Sequence, residues 1–185
     1  MINKRAIPTK LLWVDLEMTG LDANKDVILE IAAEITDFDF KTLAPSYEAR
    51  IQHKKEIVVD RMRQNTWWKE YPHNRDDFVN KLDQGKPLHQ VEQELIELVH
   101  KHFGTEPAIL AGNSIHNDRN FIKFWWPELD LKLHYRMLDV SAMKVFMQGK
   151  YNLEFEKKEE HRAYEDIQAS IAELQYYLER LKKPL

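Results

Sequence analysis

The chain has 185 residues with 43% hydrophobic and 31% charged side chains, which excludes a disordered polymer and fits one folded domain over residues 1–185. Twenty-seven Lys and Arg against 31 Asp and Glu leave a formal charge of −4, excluding a strongly basic nucleic-acid coat but not a nucleic-acid enzyme whose metal site calls for carboxylates. With no cysteine, disulfides, thiolate metal sites and a cysteine nucleophile are excluded, a reducing, cytoplasmic setting is expected, and five glycines argue against a glycine-rich phosphate loop.

In chain order, Met1 to Lys10 has three basic residues but no apolar stretch behind them, so neither a signal peptide nor a membrane span is expected. Leu11 to Met18 reads as a strand. Val27 to Thr36 carries both a period-two and a helical stripe, and Asp37-Phe38-Asp39 after it favours a strand entering a turn. Tyr47 to Gln52 is the next strand. Asn65 to Leu82 reads as helical with a break at Pro72, and His89 to Phe103 as a helix. Ala108 to Ala111 is a short buried strand. Asn117 to Trp126 is a helix stopped by Pro127, with Phe121, Phe124 and Trp125 expected in the core and Trp126 partly exposed. His134 to Leu138 is a strand and Val140 to Met147 a helix. Glu154 to Glu160 is a charged loop, and Ala163 to Leu181 is the last helix, with Ile167, Ile171, Leu174 and Leu178 as its stripe. Strands first, then alternating helices and strands, predict an α/β fold with a mixed central sheet flanked by helices.

Three polar constellations interrupt this pattern. Asp15 and Glu17 are two apart in an apolar strand, so both carboxylates share a face with Trp13, while Leu12, Val14, Leu16 and Met18 take the other. Such carboxylates are costly to bury without a counter-ion, and a divalent cation offsets that cost, although a half-solvated strand with ordinary acids fits the same spacing. Gly112 to Arg119 lies between a strand and a helix, where polar groups line sites in α/β folds. Here Asp118 reads either as a site carboxylate or as a partner of the helix N-terminus, and His116 as a surface residue. At the start of the last helix, His161 and Asp166 meet only if His161 lies on the loop before it; the alternative pairs His161 with Glu165 one turn on. HExxH, GxSxG and P-loop motifs are absent.

Together these stretches resemble one family. Trp13-Val14-Asp15-Leu16-Glu17-Met18-Thr19-Gly20-Leu21 is similar to the first motif of the DEDD 3′–5′ exonucleases, and more narrowly of their oligoribonuclease group. Gly112-Asn113-Ser114-Ile115 with Asp118-Arg119 resembles the second motif, His134 to Ser141 the segment after it, and His161 with Asp166 the third motif of the histidine-bearing branch. The likeness runs from Leu11 to Tyr177. It implies a ribonuclease H-like fold, a homodimer, two divalent ions (Mg²⁺ or Mn²⁺), and hydrolysis of very short single-stranded RNA from its 3′ end, down to dinucleotides. By the same resemblance Asp15, Glu17, Asp118 and Asp166 hold the metals and His161 is the general base. Leu21 wedges against bases, and Trp68 and His73 flank the substrate, with Trp67 adjacent. Asn113 and Ser114 form the rim, Ser141 contacts phosphate or base, and Tyr135 and Arg136 reach across from a second subunit. The chain departs from the family pattern at Arg162, Glu165, His73 to Phe78 and the acidic loop Gln148 to Glu160. A related activity, trimming longer RNA or DNA 3′ ends, uses the same chemistry but calls for a more basic groove.

Overall fold

A computed structural model describes residues 7–156 and 162–181. Five strands form one mixed sheet in the order β3-β2-β1-β4-β5. The strands are β1 (Lys10–Met18), β2 (Ile28–Asp37), β3 (Tyr47–Arg50), β4 (Ala108–Gly112) and β5 (Leu133–Asp139). β1 is antiparallel to β2 and parallel to β4, β2 is antiparallel to β3, and β4 is parallel to β5. The α/β expectation and the sheet's place at the centre hold.

Three helices follow β3: α1 (Lys55–Gln64), α2 (Trp67–Glu70) and α3 (Pro72–Asn80), with a 3₁₀ turn at Leu82–Gln84. α4 is Leu88–Phe103, α5 His116–Trp125, α6 Pro127–Asp130, α7 Val140–Tyr151 and α8 Ala163–Leu181. Alternation along β1 sorts its side chains into two cores. Leu12, Val14 and Leu16 pack with Val91, Leu95 and Val99 of α4 and with Phe121 and Ile122 of α5. On the other face Leu11 and Trp13 pack with Ala32, Ala111 and the α8 stripe of Ile167, Ile171 and Leu174. A third cluster seats α1–α3 on Val27 and Leu29 through Val58, Met62, Trp68 and Phe78.

β2 is buried on both faces over nearly its whole length, which is why its sequence carries strand and helix periodicities at once. Its pairing with β1 has one irregularity: Glu17 lies opposite Glu30, but Met18 lies opposite Ile28. Leu29 is therefore an extra residue in β2, a bulge beside Glu17.

Several expectations are corrected. α1 carried no clear signal, because only Val58 and Met62 along it are buried. Pro127 both ends α5 and opens α6 at its first position, where its missing N–H costs nothing. α7 runs past Gly149 to Tyr151 and is capped by Asn152 in the left-handed region. Phe124 is exposed and Trp126 fully buried, the reverse of the reading from sequence. The helix ends at Trp125, so Trp126 (φ −132°) turns inward and donates its indole N–H to the Leu88 carbonyl at 3.1 Å. Of the charged loop, residues 157–160 lie outside the described residues. Among the described residues no helix is long and apolar enough to cross a membrane.

Candidate active site

Asp15 and Glu17 project from the carboxyl-terminal half of β1 on the face that packs against α8. Asp166 lies in the first turn of α8, where its N–H donates to the Arg162 carbonyl at 2.9 Å. One carboxylate oxygen from each of Asp15, Glu17 and Asp166 falls within 4.8 Å of the others. Three hard oxygen donors this close suit a divalent cation, and the cluster is a candidate metal-binding site.

The charge state agrees. Burial pushes the Glu17 carboxyl up to about 8, and the nearby Asp166 and Glu30 push the same way; Arg162 opposes them. A group that resists ionisation where three acids converge is one that a cation would charge.

Asp118 is brought to the same end of the sheet by a different route. β1 and β4 pair at Leu12 and Trp13, and β4 ends one residue later, at Gly112. The Leu16 N–H left there donates to Asp118 Oδ1 at 2.9 Å. Asp118 is buried, and that burial pushes its carboxyl up to about 7. Its oxygens lie outside the 4.8 Å group.

A cavity of about 240 Å³ opens beside Glu17, lined by Leu16, Met18, Gly20, Leu21, Asn65 and Trp67. Leu21 stands on its rim with 71% of its surface exposed. Residues that sequence reasoning missed hold the loop beneath it. Asp26 accepts from Thr19 Oγ1 (2.9 Å) and from the Asp22 N–H (3.0 Å), and the Val27 N–H donates to Thr19 Oγ1 (3.1 Å). A Cβ on Gly20 would meet the Asp26 carboxylate at 2.5 Å, so a larger residue there would have to displace a side chain that Thr19 and the Asp22 N–H hold.

The tryptophan expectation shifts by one residue. Trp68 is 1% exposed, its indole N–H donates to the Thr19 carbonyl at 2.9 Å, and Phe78 packs edge-on to its ring. It belongs to the core and presents no face to a ligand. Trp67 lines the cavity instead, at right angles to Trp68 with ring centres 4.6 Å apart. The Thr19 carbonyl also accepts from Asn65 Nδ2 at 3.1 Å.

The remaining candidate residues divide into four groups. Asn113 Nδ2 donates to Ser170 Oγ (2.9 Å) and Glu173 Oε2 (3.0 Å), and its Oδ1 accepts from Ser141 Oγ (3.1 Å). Its amide is satisfied inside the protein and braces α8 rather than facing a ligand. Ser114, at φ 48°, donates its N–H to Asp139 Oδ1 and Ser141 Oγ, so the turn after β4 is tied to the start of α7. His73 is exposed near the start of α3, and Tyr135 and Arg136 are exposed on the edge strand β5 with the guanidinium 5.3 Å from the Tyr135 ring centre. His116 is exposed, as expected, with Nδ1 3.6 Å from Asp139. His161 lies outside the described residues.

Comparison with known proteins agrees with this geometry. The exonuclease family model RNase_T matches residues 12–174. The oligoribonuclease of Francisella tularensis subsp. tularensis (strain WY96-3418) is 38% identical over 176 residues, covering 92% of this chain and 95% of its own. The human protein described as "Oligoribonuclease, mitochondrial" is 38% identical over 190 residues, covering 99% of this chain and 78% of its own. Among solved structures, exonuclease I of Methylocaldum szegediense superposes with a TM-score of 0.63 at 16% identity, and E. coli exonuclease I with an oligonucleotide at 0.56 and 14%. The chain spans about two fifths of those two structures (41% and 42%), and at such identities they speak for the fold alone. By its matching profile, its relatives and its acidic cluster, the chain belongs to the RNase T exonucleases of the DEDD superfamily, within the oligoribonuclease group.

Proposed function

We propose that this chain is a metal-dependent 3′–5′ exoribonuclease that reduces very short RNA, down to dinucleotides, to 5′-mononucleotides. The carrying observation is the Asp15–Glu17–Asp166 cluster beside a cavity walled by Trp67 and Leu21. Two divalent ions, Mg²⁺ or Mn²⁺, would supply acidified water and neutralise charge developing on the phosphate. Asp15, Glu17 and Asp166 are the donors for the first. Asp118 is assigned to the second, close enough to raise the pKa of Glu17.

The chain's own groups do the rest. His161, one residue before Arg162, accepts the proton of the attacking water on an imidazole nitrogen. Trp67, which lies against the Tyr71 ring at 4.4 Å between centres, meets the terminal base with the part of its ring that lines the cavity, and stacking of this kind contributes about 1–3 kcal/mol per base. Leu21 separates that base from its neighbour. Ser114 and Ser141 are assigned to the substrate's rim contacts, and His73, near the start of α3, to its flank. Tyr135 and Arg136 belong to the neighbouring subunit's site in a homodimer. Support for that dimer comes from an exposed sheet edge at β5 and exposed apolar side chains at Tyr135, Met137, Val145 and Phe146. Residues 1–185 act as one exonuclease domain in this reading, and the cysteine-free composition supports a cytoplasmic setting.

A time course on end-labelled RNA of graded length, with Mg²⁺, Mn²⁺ or chelator, tests the proposal. Dinucleotide should disappear fastest, and only with metal. Equal or faster turnover of long RNA or DNA would favour a trimming exonuclease, and turnover undiminished in chelator would overturn the metal chemistry.

A further inference from the structure

The acidic cluster and the aromatic wall belong to different parts of the fold, and a set of charges outside the proposed chemistry joins them. Glu30 on β2 is buried and accepts two hydrogen bonds from Arg162, from Nε at 3.1 Å and Nη2 at 2.8 Å. It also accepts from the Ala163 N–H at 3.3 Å and pairs with Arg50 Nε at 3.3 Å. Asp77 on α3 takes the other ends of both arginines, Arg162 Nη1 at 3.2 Å and Arg50 Nη2 at 2.6 Å, and pairs with Lys81. Both guanidinium carbons lie over the Phe78 ring, 5.5 Å (Arg50) and 5.6 Å (Arg162) from its centre.

From this clasp two lines of contact lead to the site. The backbone line is short: the Arg162 carbonyl accepts the N–H of Asp166, so holding Arg162 holds the first turn of α8 and its metal-site carboxylate. The aromatic line runs through Phe78, edge-on to Trp68 at 5.9 Å, and Trp68, edge-on to Trp67 at 4.6 Å. Trp67 lines the cavity beside Glu17.

We propose that Arg162 is a positioning residue: bridging Glu30 and Asp77, it sets the spacing between the acidic cluster and the Trp67 wall, and so where a base on the wall places its phosphodiester. This role rests on the function proposed above. Arginine suits this role because one planar fork meets Glu30 with two N–H groups and Asp77 with a third. Lysine keeps the charge but cannot span both carboxylates in that geometry. A shift of about an ångström between positioning groups and reacting groups is enough to lower turnover sharply.

The test uses Arg162→Lys, Arg162→Gln, Asp77→Asn and the Arg162→Gln/Asp77→Asn double variant, each checked for folding by far-ultraviolet circular dichroism. Three readings are taken: Mn²⁺ affinity without substrate, the near-ultraviolet circular dichroism of the crossed Trp67–Trp68 pair, and kcat and KM on an RNA dinucleotide. Arg162→Gln should weaken Mn²⁺ binding and lower kcat by about tenfold or more, as loss of a group orienting a metal ligand does. Asp77→Asn should raise KM and alter the tryptophan signal while sparing Mn²⁺ affinity. Arg162→Lys should recover Mn²⁺ affinity more fully than KM, and the double variant should fall short of the product of the two single effects. If the folded variants lose thermal stability alone, with Mn²⁺ affinity, tryptophan signal, kcat and KM unchanged per folded molecule, the proposal is overturned. Should Arg162→Gln not fold, Arg162→Lys and Asp77→Asn decide by the same readings. If the wild type turns over no dinucleotide while the metal and tryptophan readings respond as expected, the substrate reading fails and the clasp stands.

Discussion

Glu17 and Glu30 lie directly opposite each other on β1 and β2, yet only Glu30 is hydrogen-bonded by arginine. Arg162 and Arg50 neutralise Glu30, whereas Glu17 faces Asp15 and Asp166. The two buried carboxylates therefore answer differently to loss of charge. Glu30→Ala leaves both arginines to Asp77 alone and should cost about 3 kcal/mol, in line with breaking a buried pair. Glu17→Gln should stabilise the metal-free protein near neutral pH and abolish hydrolysis. Denaturant unfolding in chelator, beside a dinucleotide assay, checks both directions.

Stability should depend on pH and metal together. The Glu17 carboxyl is raised from 4.5 to about 8, so between those values the folded state holds a proton that the unfolded state has released. This contribution to stability is fully present below 4.5 and is lost as pH rises through about 8. Bound Mn²⁺ favours the ionised form and removes the deficit. The Mn²⁺-induced rise in Tm should therefore be larger near pH 8 than near about pH 5, and the difference should shrink in Glu17→Gln. An equal rise at both pH values in wild type and variant would remove Glu17 from the metal site.

Asp15→Asn preserves shape and removes a donor charge. Activity should fall by more than about a hundredfold, beyond what loss of an outer partner of a metal ligand costs, with an unchanged circular dichroism spectrum. Full activity in this variant would refute the metal assignment.

The adjacent tryptophans should separate binding from stability. Trp67→Ala should raise KM for a dinucleotide by the equivalent of about 1–3 kcal/mol while leaving the fold stable. Trp68→Ala removes a buried indole and its bond to Thr19, and should cost about 3–5 kcal/mol in unfolding free energy. If Trp68→Ala instead altered KM alone, the assignment of the two rings would be reversed.

What could be read from sequence is what local periodicity records. The period-two pattern of Leu11 to Met18 placed Asp15 and Glu17 with Trp13 on one face, and the stripes of α4 and α8 gave the helices covering the sheet. Which of two neighbouring indoles turns inward depends on a carbonyl 49 residues away, at Thr19, and periodicity carries no trace of it. The Arg162–Glu30 pair spans 132 residues and is equally invisible. Trp126 reads as exposed because a helical stripe continues past Trp125, where the backbone leaves the helix. The family resemblance makes Asn113 a rim residue, and only the contacts with Ser170 and Glu173 show its amide turned into the protein.

The extra residue Leu29 takes no place opposite β1, and its side chain anchors α1–α3 through Val58, Met62, Trp68 and Phe78. The Leu29 carbonyl still accepts the Ile51 N–H at 2.9 Å, so the one residue that β1 does not pair both ties β2 to the chain after β3 and seats the wall. Deleting Leu29 would preserve the pairing of Glu17 with Glu30 while unseating the helices that carry Trp67. A change at this one residue therefore moves the helices that carry Trp67, and it reaches Asp166 through Asp77 and Arg162.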